Sequence, residues 1–165
     1  MFENQVKKVF LGVGSNLGNR QKNIELSKIA LTNRGIKILK SSSFYESLSW
    51  PDPKKPKFLN IVLEIETTIH PISLLKICKK IEKSLGRKIS TINSPRICDI
   101  DILDYDNKVM NNGINLPHPR MHQRNFVLIP LFEIRKKWLH PKSKDHIKTL
   151  ILKLSNKDIT SIKKV

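Results

Sequence analysis

The most regular hydrophobic pattern in the chain lies at Phe58–Thr67, where polar and apolar positions alternate. Successive residues of a strand point to opposite sides of a sheet, so this alternation predicts a strand. One face would carry Leu59, Ile61, Leu63 and Ile65, and the other would carry Phe58, Asn60, Val62, Glu64 and Glu66. Helices would pack on the aliphatic face, so we expect a ligand on the second face, beside Phe58 and Asn60.

Shorter patterns predict the elements before this strand. Val9–Val13 is a compact apolar run typical of a buried strand. A turn then leads into a helix of about fifteen residues, with Asn19 as a plausible N-cap and Gly35 as its stop. Ile36–Glu46 predicts a second strand, and the prolines of Ser47–Lys57 indicate a loop.

A second helix and a fourth strand are predicted after Phe58–Thr67. Pro71 suits the first turn of this helix, and Gly86 follows its end. Between them runs an apolar stripe at helical spacing, formed by Leu74, Leu75, Cys78, Ile81 and Leu85. Arg87–Pro95 is predicted to be a loop, and Ile97–Leu103 a strand.

The element order β-α-β-β-α-β predicts the fold class. It is the order of the ferredoxin-like α+β sandwich, with an antiparallel sheet and helices on one face. The apolar segment Phe126–Phe132 and a helix predicted around residues 147–154 would form a C-terminal extension. The 165 residues contain no repeat or linker, so residues 1–165 are expected to be a single domain.

The net charge of +17 brings nucleic-acid binding into consideration. Only seven of the 31 basic residues are arginine, and four of these lie in one stretch: Arg87, Arg96, Arg120 and Arg124. Scattered lysine is typical of a solvated surface, whereas clustered arginine suits bidentate recognition of phosphate. The charge therefore predicts an anionic ligand without identifying it.

Several other protein classes are disfavoured by the sequence. No stretch approaches the roughly 18–20 apolar residues of a membrane helix, and the first thirty residues show no signal-peptide pattern. Cys78 and Cys98 belong to no C-x-x-C pair, so we expect buried thiols in a reducing compartment. A cytoplasmic protein without membrane contact is predicted.

Asp99-Ile-Asp101 is the sharpest candidate for chemistry. Two residues apart on a strand, both carboxylates point to the same side, with Cα atoms roughly 6.5–7 Å apart. Such a pair can hold Mg²⁺, which binds one or two carboxylates together with substrate phosphates. A lone D-x-D is a weak signal, but Cys98, Ile100 and Ile102 predict a buried opposite face.

Nearby residues extend this candidate site. Arginines and His118 around the Asp pair could stabilise charge that builds up in phosphoryl transfer, although surface arginines are the alternative interpretation for each. Gly12 and Gly14 do not form a dinucleotide-binding pattern, because Leu17 stands where the third glycine would be. We therefore interpret these glycines as close packing and a tight turn.

These motifs, in their order, resemble those of the 6-hydroxymethyl-7,8-dihydropterin pyrophosphokinase family. The resemblance spans about Val9–Phe132 and rests on the following segments: Gly12-Val-Gly-Ser-Asn-Leu-Gly18, Ser42-Ser-Phe-Tyr45, Phe58-Leu-Asn60, Ile81-Glu-Lys-Ser-Leu-Gly-Arg87, Pro95-Arg-Ile-Cys-Asp-Ile-Asp-Ile102, Leu116-Pro-His118 and Arg124-Asn-Phe-Val-Leu-Ile-Pro-Leu-Phe132. It implies transfer of a diphosphate from ATP to the pterin, with release of AMP, in folate biosynthesis.

The resemblance also implies a role for each site residue. Asp99 and Asp101 would hold two Mg²⁺ ions, and Asp99 would also lie near the pterin. Asn60 would recognise the pterin edge, with Phe58 and Phe126 stacking on its faces. ATP and its phosphates would be bound by Glu82, Arg87, Arg96, His118 and Arg124. Among these, Arg87 and Arg96 would act in catalysis with the two aspartates.

Two mobile loops close over the substrates in this family, and here they would be Ser47–Lys57 and Gly86–Pro95. Both depart from the family pattern: Asn93 stands near the usual tryptophan of the second loop, and the first loop carries Trp50. The alternatives are an RNA-binding module, disfavoured by the 6% aromatic content, and a relative without activity. The sequence leaves the oligomeric state open, with a monomer favoured.

Overall fold

The computed structural model describes residues 5–88 and 91–165 and has one six-stranded antiparallel sheet. The strands are β1 (Lys7–Ser15), β2 (Lys37–Ser41), β3 (Tyr45–Ser47), β4 (Phe58–Thr67), β5 (Asp99–Tyr105) and β6 (Lys163–Lys164). The sheet order is β5-β1-β4-β3-β6, and β2 pairs with β4 beside β3. The strand predicted at Phe58–Thr67 is confirmed, and it pairs with β1 from Leu59 to Thr67.

The strand predicted at Ile36–Glu46 is wrong as a single element, because the structure divides it into β2 and β3. Between β2 and β3, the side chain of Ser42 takes one of the hydrogen bonds that a backbone carbonyl would accept in a continuous strand. Its N–H donates to the Val62 carbonyl, and its hydroxyl accepts from the Val62 N–H, both at 2.9 Å. The strand predicted at Ile97–Leu103 is β5, which begins at Asp99, two residues later than predicted, and ends at Tyr105.

Helices α1 (Arg20–Thr32) and α2 (Pro71–Ser84) cover one face of the sheet. The predicted cap is confirmed, since the Asn19 side chain accepts from the Lys22 N–H at 3.0 Å. The aliphatic face of β4 packs against both helices, in a core that includes Ile24, Leu31, Leu74, Cys78 and Ile81. Cys78 and Cys98 are both buried here, and burial raises the pKa of each thiol to about 12.

The expectation of helices on one face alone is wrong. Helices α3 (Asn125–Ile134) and α4 (Ile147–Leu152) pack on the second face, and α5 (Asn156–Ser161) follows them. The reason is the apolar character of that face, where Phe10, Val62 and Leu103 join a second core with residues of α3 and α4. Burying these side chains stabilises the covered arrangement.

One end of the second face stays uncovered by α3 and α4. Asn60, Gly14 and Asp99 form a row of cross-strand neighbours there, and the next row, Val62, Gly12 and Asp101, runs from the second core into the open end. Cross-strand neighbours share a face, so the glycines of the central strand leave room between Asn60 and the aspartates. A Cβ at Gly14 would lie 3.1 Å from Asn60 Oδ1, which is tighter than ordinary packing.

No helix in the described ranges is long and apolar enough to cross a membrane.

Candidate active site

A cleft that is partly open to solvent lies over the uncovered end of the sheet. Its walls come from β1, β4 and β5, from the loop before β4, from residues 93–96 and from residues 120–127. Seven of the site residues expected from the sequence line it: Phe58, Asn60, Arg96, Asp99, Asp101, Arg124 and Phe126.

Asp99 is held between two arginines at the bottom of this cleft. Arg87 Nη1 donates to its Oδ1 and Arg96 Nη1 donates to its Oδ2, each at 3.1 Å. The Asp99 side chain is nevertheless 23% exposed, so water or a ligand can reach it. The carboxylate is therefore both fixed in position and accessible.

Asp101 lies on the same face and has a different pair of neighbours. Arg124 Nη1 donates to its Oδ2 at 3.3 Å, and His118 Nε2 is 3.8 Å from the same oxygen. Burial lowers the pKa of His118, and the charges of Arg124 and Arg120 lower it further against the opposing effect of Asp101. His118 Nδ1 accepts from the Arg120 N–H at 3.1 Å, so the neutral imidazole carries its proton on Nε2, the nitrogen nearer Asp101.

Glu82 does not line the cleft. Its side chain is 1% exposed and accepts from the Ile100 N–H at 2.7 Å, from Lys79 and from Arg87. Burial lowers the pKa of the Arg87 guanidinium, but the carboxylates of Glu82 and Asp99 outweigh this effect and raise it overall. Glu82 thus links the end of α2 to the strand position between the two aspartates, and it positions Arg87.

Asn60 is oriented by the neighbouring strand. Its Nδ2 donates to the Tyr45 carbonyl at 3.2 Å and to the Ser47 hydroxyl at 2.9 Å, so both amide hydrogens are engaged. Its Oδ1 lies over Gly14, which also has Phe58 beside it. Asn60 therefore presents an acceptor, whereas the sequence alone also allowed a donor.

The structure adds residues that the sequence did not assign to the site. The buried Asn16 donates from Nδ2 to the Pro56 carbonyl at 3.1 Å and accepts the Arg96 N–H at 2.6 Å through Oδ1. It thereby connects the strand end of β1 to the bases of both predicted mobile loops. Trp50 and Lys55 also line the cleft. An aromatic residue in an otherwise polar, proline-containing loop was the one available signal for Trp50.

Part of the second predicted loop, Gly86–Pro95, lies outside the described residues, namely positions 89 and 90. The described part contacts the first loop where Lys55 Nζ donates to the Asn93 carbonyl at 2.6 Å. His118 lines a neighbouring groove with Met110, Pro117 and other residues rather than the main cleft.

The fold and the cleft together describe an α+β protein with a carboxylate pair among arginines beside an amide and aromatic rings. A family model for 7,8-dihydro-6-hydroxymethylpterin-pyrophosphokinase (HPPK) matches residues 10–136. The chain therefore belongs to the HPPK family. The resemblance that the sequence motifs indicated is confirmed.

Individual relatives agree with this assignment. The chain is 40% identical over 134 residues to the 2-amino-4-hydroxy-6-hydroxymethyldihydropteridine pyrophosphokinase of Aquifex aeolicus, covering 81% of this chain and 83% of that protein. It is 38% identical over 155 residues to the folic acid synthesis protein fol1 of Pneumocystis carinii, covering 93% of this chain. The chain spans only 21% of that longer protein.

Solved structures show the same fold. The wild-type Plasmodium falciparum HPPK-DHPS with pteroate aligns with a TM-score of 0.73 and 15% identity, over 93% of this chain and 43% of that chain. At this identity the similarity supports the architecture and not the site chemistry.

Proposed function

We propose that this protein transfers a diphosphate from ATP to 6-hydroxymethyl-7,8-dihydropterin and releases AMP. The observation that carries the proposal is that one cleft contains two kinds of site. Asn60, Phe58 and Phe126 suit a flat heterocycle, and the aspartate pair with Arg96 and Arg124 suits phosphates. Family membership and the name of the Aquifex relative support the same activity.

The pterin would bind at the β4 side of the cleft. The fixed Asn60 acceptor matches the N–H groups along the amino-pyrimidine edge of a pterin. Phe58 and Phe126 would contact its ring faces, because offset aromatic stacking suits planar ligands. Gly14 has no side chain and so leaves room for the ring, whereas any larger residue would crowd Asn60 and Phe58.

ATP would bind at the β5 side, with Arg96 and Arg124 on its phosphates. Arg87 would act there through its contact with Asp99, and Glu82 would support Arg87 from within the protein. His118, in the adjoining groove, would contribute to the nucleotide site. These roles extend what the sequence resemblance implied, with Glu82 placed behind the site.

The residues of the cleft fit Mg²⁺. Asp99 and Asp101 offer hard oxygen ligands on one face, and no group of three or more ligating side chains occurs in the described residues. Mg²⁺ characteristically combines one or two carboxylates with substrate phosphates, so this donor set is sufficient. We propose two ions here. When bound, they would neutralise charge on the phosphate oxygens.

The reaction itself requires positioning and charge stabilisation. The hydroxymethyl oxygen of the pterin attacks the β-phosphorus of ATP and loses its proton, while the bond from that phosphorus to the AMP oxygen breaks. Arg96 and Arg124 can stabilise the negative charge that develops on the phosphates. Asn16 would hold the bases of both loops so that they can close and exclude water.

The wider setting is part of the same proposal. We assign the antiparallel sheet with α1 and α2 on one face to the ferredoxin-like architecture, with α3 and α4 as an addition on the other face, and treat residues 1–165 as one domain. A monomer in the cytoplasm, acting on small molecules rather than nucleic acid, is the corresponding biological form.

The test is detection of AMP formed from ATP and Mg²⁺, with and without the hydroxymethyl-dihydropterin. We expect pterin-dependent AMP, one per pterin consumed, and none from an Asp101→Asn control. Absence of AMP with ATP still bound would identify a disabled relative. Absence of both would overturn the proposal, and a salt-dependent RNA-binding assay would follow.

A further inference from the structure

Trp50 takes part in a stack of aromatic and cationic groups at the mouth of the cleft. The Arg124 Cζ atom lies 5.1 Å from the centre of the indole, and the Arg120 Cζ atom lies 5.5 Å from it. Arg124 is also 5.5 Å from the centre of the Phe126 ring. Distances within about 6 Å are those of favourable cation–π contacts. One indole therefore holds two guanidinium groups.

These two guanidinium groups have few anionic partners of their own. Among ion pairs in the described part of the chain, Arg124 has Asp101 as its carboxylate and Arg120 has none. Arg124 Nε is buried without a hydrogen-bond partner in the same residues. Both Cζ atoms lie within 5.5 Å of the centre of one indole, so the two positive charges repel each other. An anionic ligand would relieve this repulsion and supply the missing acceptors.

Trp50 has no other evident purpose. The indole is 39% exposed and belongs to neither hydrophobic core. It lies in the loop between β3 and β4, whose base is held by Asn16 through the Pro56 carbonyl. In the part of the chain that the structure describes, the Trp50 ring makes cation–π contacts with two arginines, which ties its position to theirs.

We propose that Trp50 is a positioning residue for the phosphate-binding arginines. Its indole holds Arg120 and Arg124 at the β5 side of the cleft, where phosphates would bind. Because the indole belongs to residues 48–57, the position of that loop depends on whether a ligand occupies the β5 side. The inference rests on the proposed function in one respect, that the anion is the polyphosphate of ATP. Polyphosphate would bind both guanidinium groups while they remain against the indole, so the bound ligand would also fix the loop.

Tryptophan emission tests the coupling without requiring turnover. The chain has two tryptophans, and Trp138 is 4% exposed in the second core, with its Nε1 donating to Asp104 at 2.8 Å. A response to ligand is therefore expected from Trp50. The probes are inorganic tripolyphosphate and a non-hydrolysable ATP analogue, each with Mg²⁺.

We expect a saturable emission change with both probes in the wild type and none in Trp50→Phe, which retains Trp138. Arg120→Gln should need a several-fold higher probe concentration for half of the change. An absent response in the wild type, or an equal response in Trp50→Phe, would overturn the proposal. A normal response together with no pterin-dependent AMP would instead support the coupling and reject the proposed function.

Kinetics separate positioning from a merely structural role. Trp50→Leu removes the aromatic face and should raise KM for ATP about tenfold, with a smaller change in kcat. Trp50→Phe keeps an aromatic face and should restore most of the lost affinity. The control is Leu152→Ala, which truncates an exposed residue outside the cleft. An unchanged KM in Trp50→Leu, or equal impairment in Trp50→Phe, contradicts the role.

Discussion

The second face of the sheet has a covered half and an open half, and both contain carboxylates beside arginines. Under α3 and the segment that follows it, Glu64 pairs with Arg135 and is 1% exposed. In the cleft, Asp99 and Asp101 pair with arginines but are 23% and 31% exposed. The chemical groups are the same. Exposure decides whether the ion pair holds the fold together or remains available to a ligand.

Strand β5 shows the same division within a few residues. Asp104 lies on the same side of the sheet as Asp101, because the pairing register shifts between Phe10 and Leu11 of β1. Burial raises the pKa of Asp104, and the Trp138 indole donates to it at 2.8 Å. The chain thus satisfies Asp104 internally and leaves Asp101 for the site.

The largest expected effect comes from the open half. Asp99→Asn or Asp101→Asn removes a carboxylate that would hold Mg²⁺, so turnover should fall by about 1,000-fold. The unfolding temperature should stay within about 3 °C of the wild type, because both side chains are partly exposed. AMP release and calorimetry measure the two quantities. Near-normal turnover in either variant would end the metal assignment.

The next effect belongs to the covered half. Within the described ranges, Arg135→Ala leaves the buried Glu64 with one cationic partner, the Lys8 ammonium at 3.6 Å, so the free energy of unfolding should fall by about 3 kcal/mol. Denaturant unfolding measures it, with the neighbouring Lys136→Ala as the control. Turnover at a temperature where the variant is folded should be nearly unchanged. A large loss of turnover with normal stability would mean that Arg135 serves the active site and not the fold.

The third effect concerns Asn60, which lies in the open half at the proposed pterin side of the cleft, and Asn60→Ala tests its role. Loss of the Oδ1 acceptor should weaken pterin binding about thirtyfold while changing ATP binding less than about twofold. Titration calorimetry with each ligand gives both values. Ser47→Ala removes one support of the same amide and controls for its orientation. Equal losses for the two ligands would count against Asn60 as the pterin-recognising residue.

The smallest effect concerns the attachment of α3 to β3. Glu133 accepts from the Ser43 hydroxyl at 2.7 Å and the Tyr45 hydroxyl at 2.6 Å. Burial raises the pKa of Glu133, but these hydrogen bonds outweigh it and lower the pKa overall. The stabilisation is therefore present above the unfolded-state pKa and is lost as pH falls through the lower folded-state pKa.

Glu133→Gln should accordingly cost about 1.5 kcal/mol of unfolding free energy at pH 7 and less below pH ~4. Unfolding curves across this range measure the difference between the two proteins. A cost that does not change with pH would show that the charge of Glu133 is irrelevant to this contact.

Much of the fold could be predicted from local sequence. The alternation at Phe58–Thr67 gives the strand bounds, and Asn19 gives the start of α1, because both depend on neighbouring residues alone. The interruption at Ser42 could not be predicted, since it needs a side chain to bond a residue twenty positions away. Helices α3 and α4 cover the second face through contacts between residues far apart in the chain, and local sequence patterns do not predict such contacts.

The site shows a similar limit. The spacing of Asp99 and Asp101 predicts a shared face, and the family motifs bring seven expected residues to one cleft. The role of Glu82 in ATP binding stays a prediction, because its carboxylate faces Ile100 and Arg87. Trp50 and Asn16 could not be assigned from sequence, since their contacts depend on the path of two loops.

The two-residue strand β6 has a consequence for behaviour in concentrated solution. It pairs with β3 at one margin of the sheet and places Lys163 and Lys164 there, both exposed. An open margin offers unpaired N–H and C=O groups to other chains, whereas a short lysine-bearing strand resists such pairing. Deleting residues 163–165 should therefore leave the protein folded but raise its tendency to self-associate on heating, a colloidal property set by only three residues.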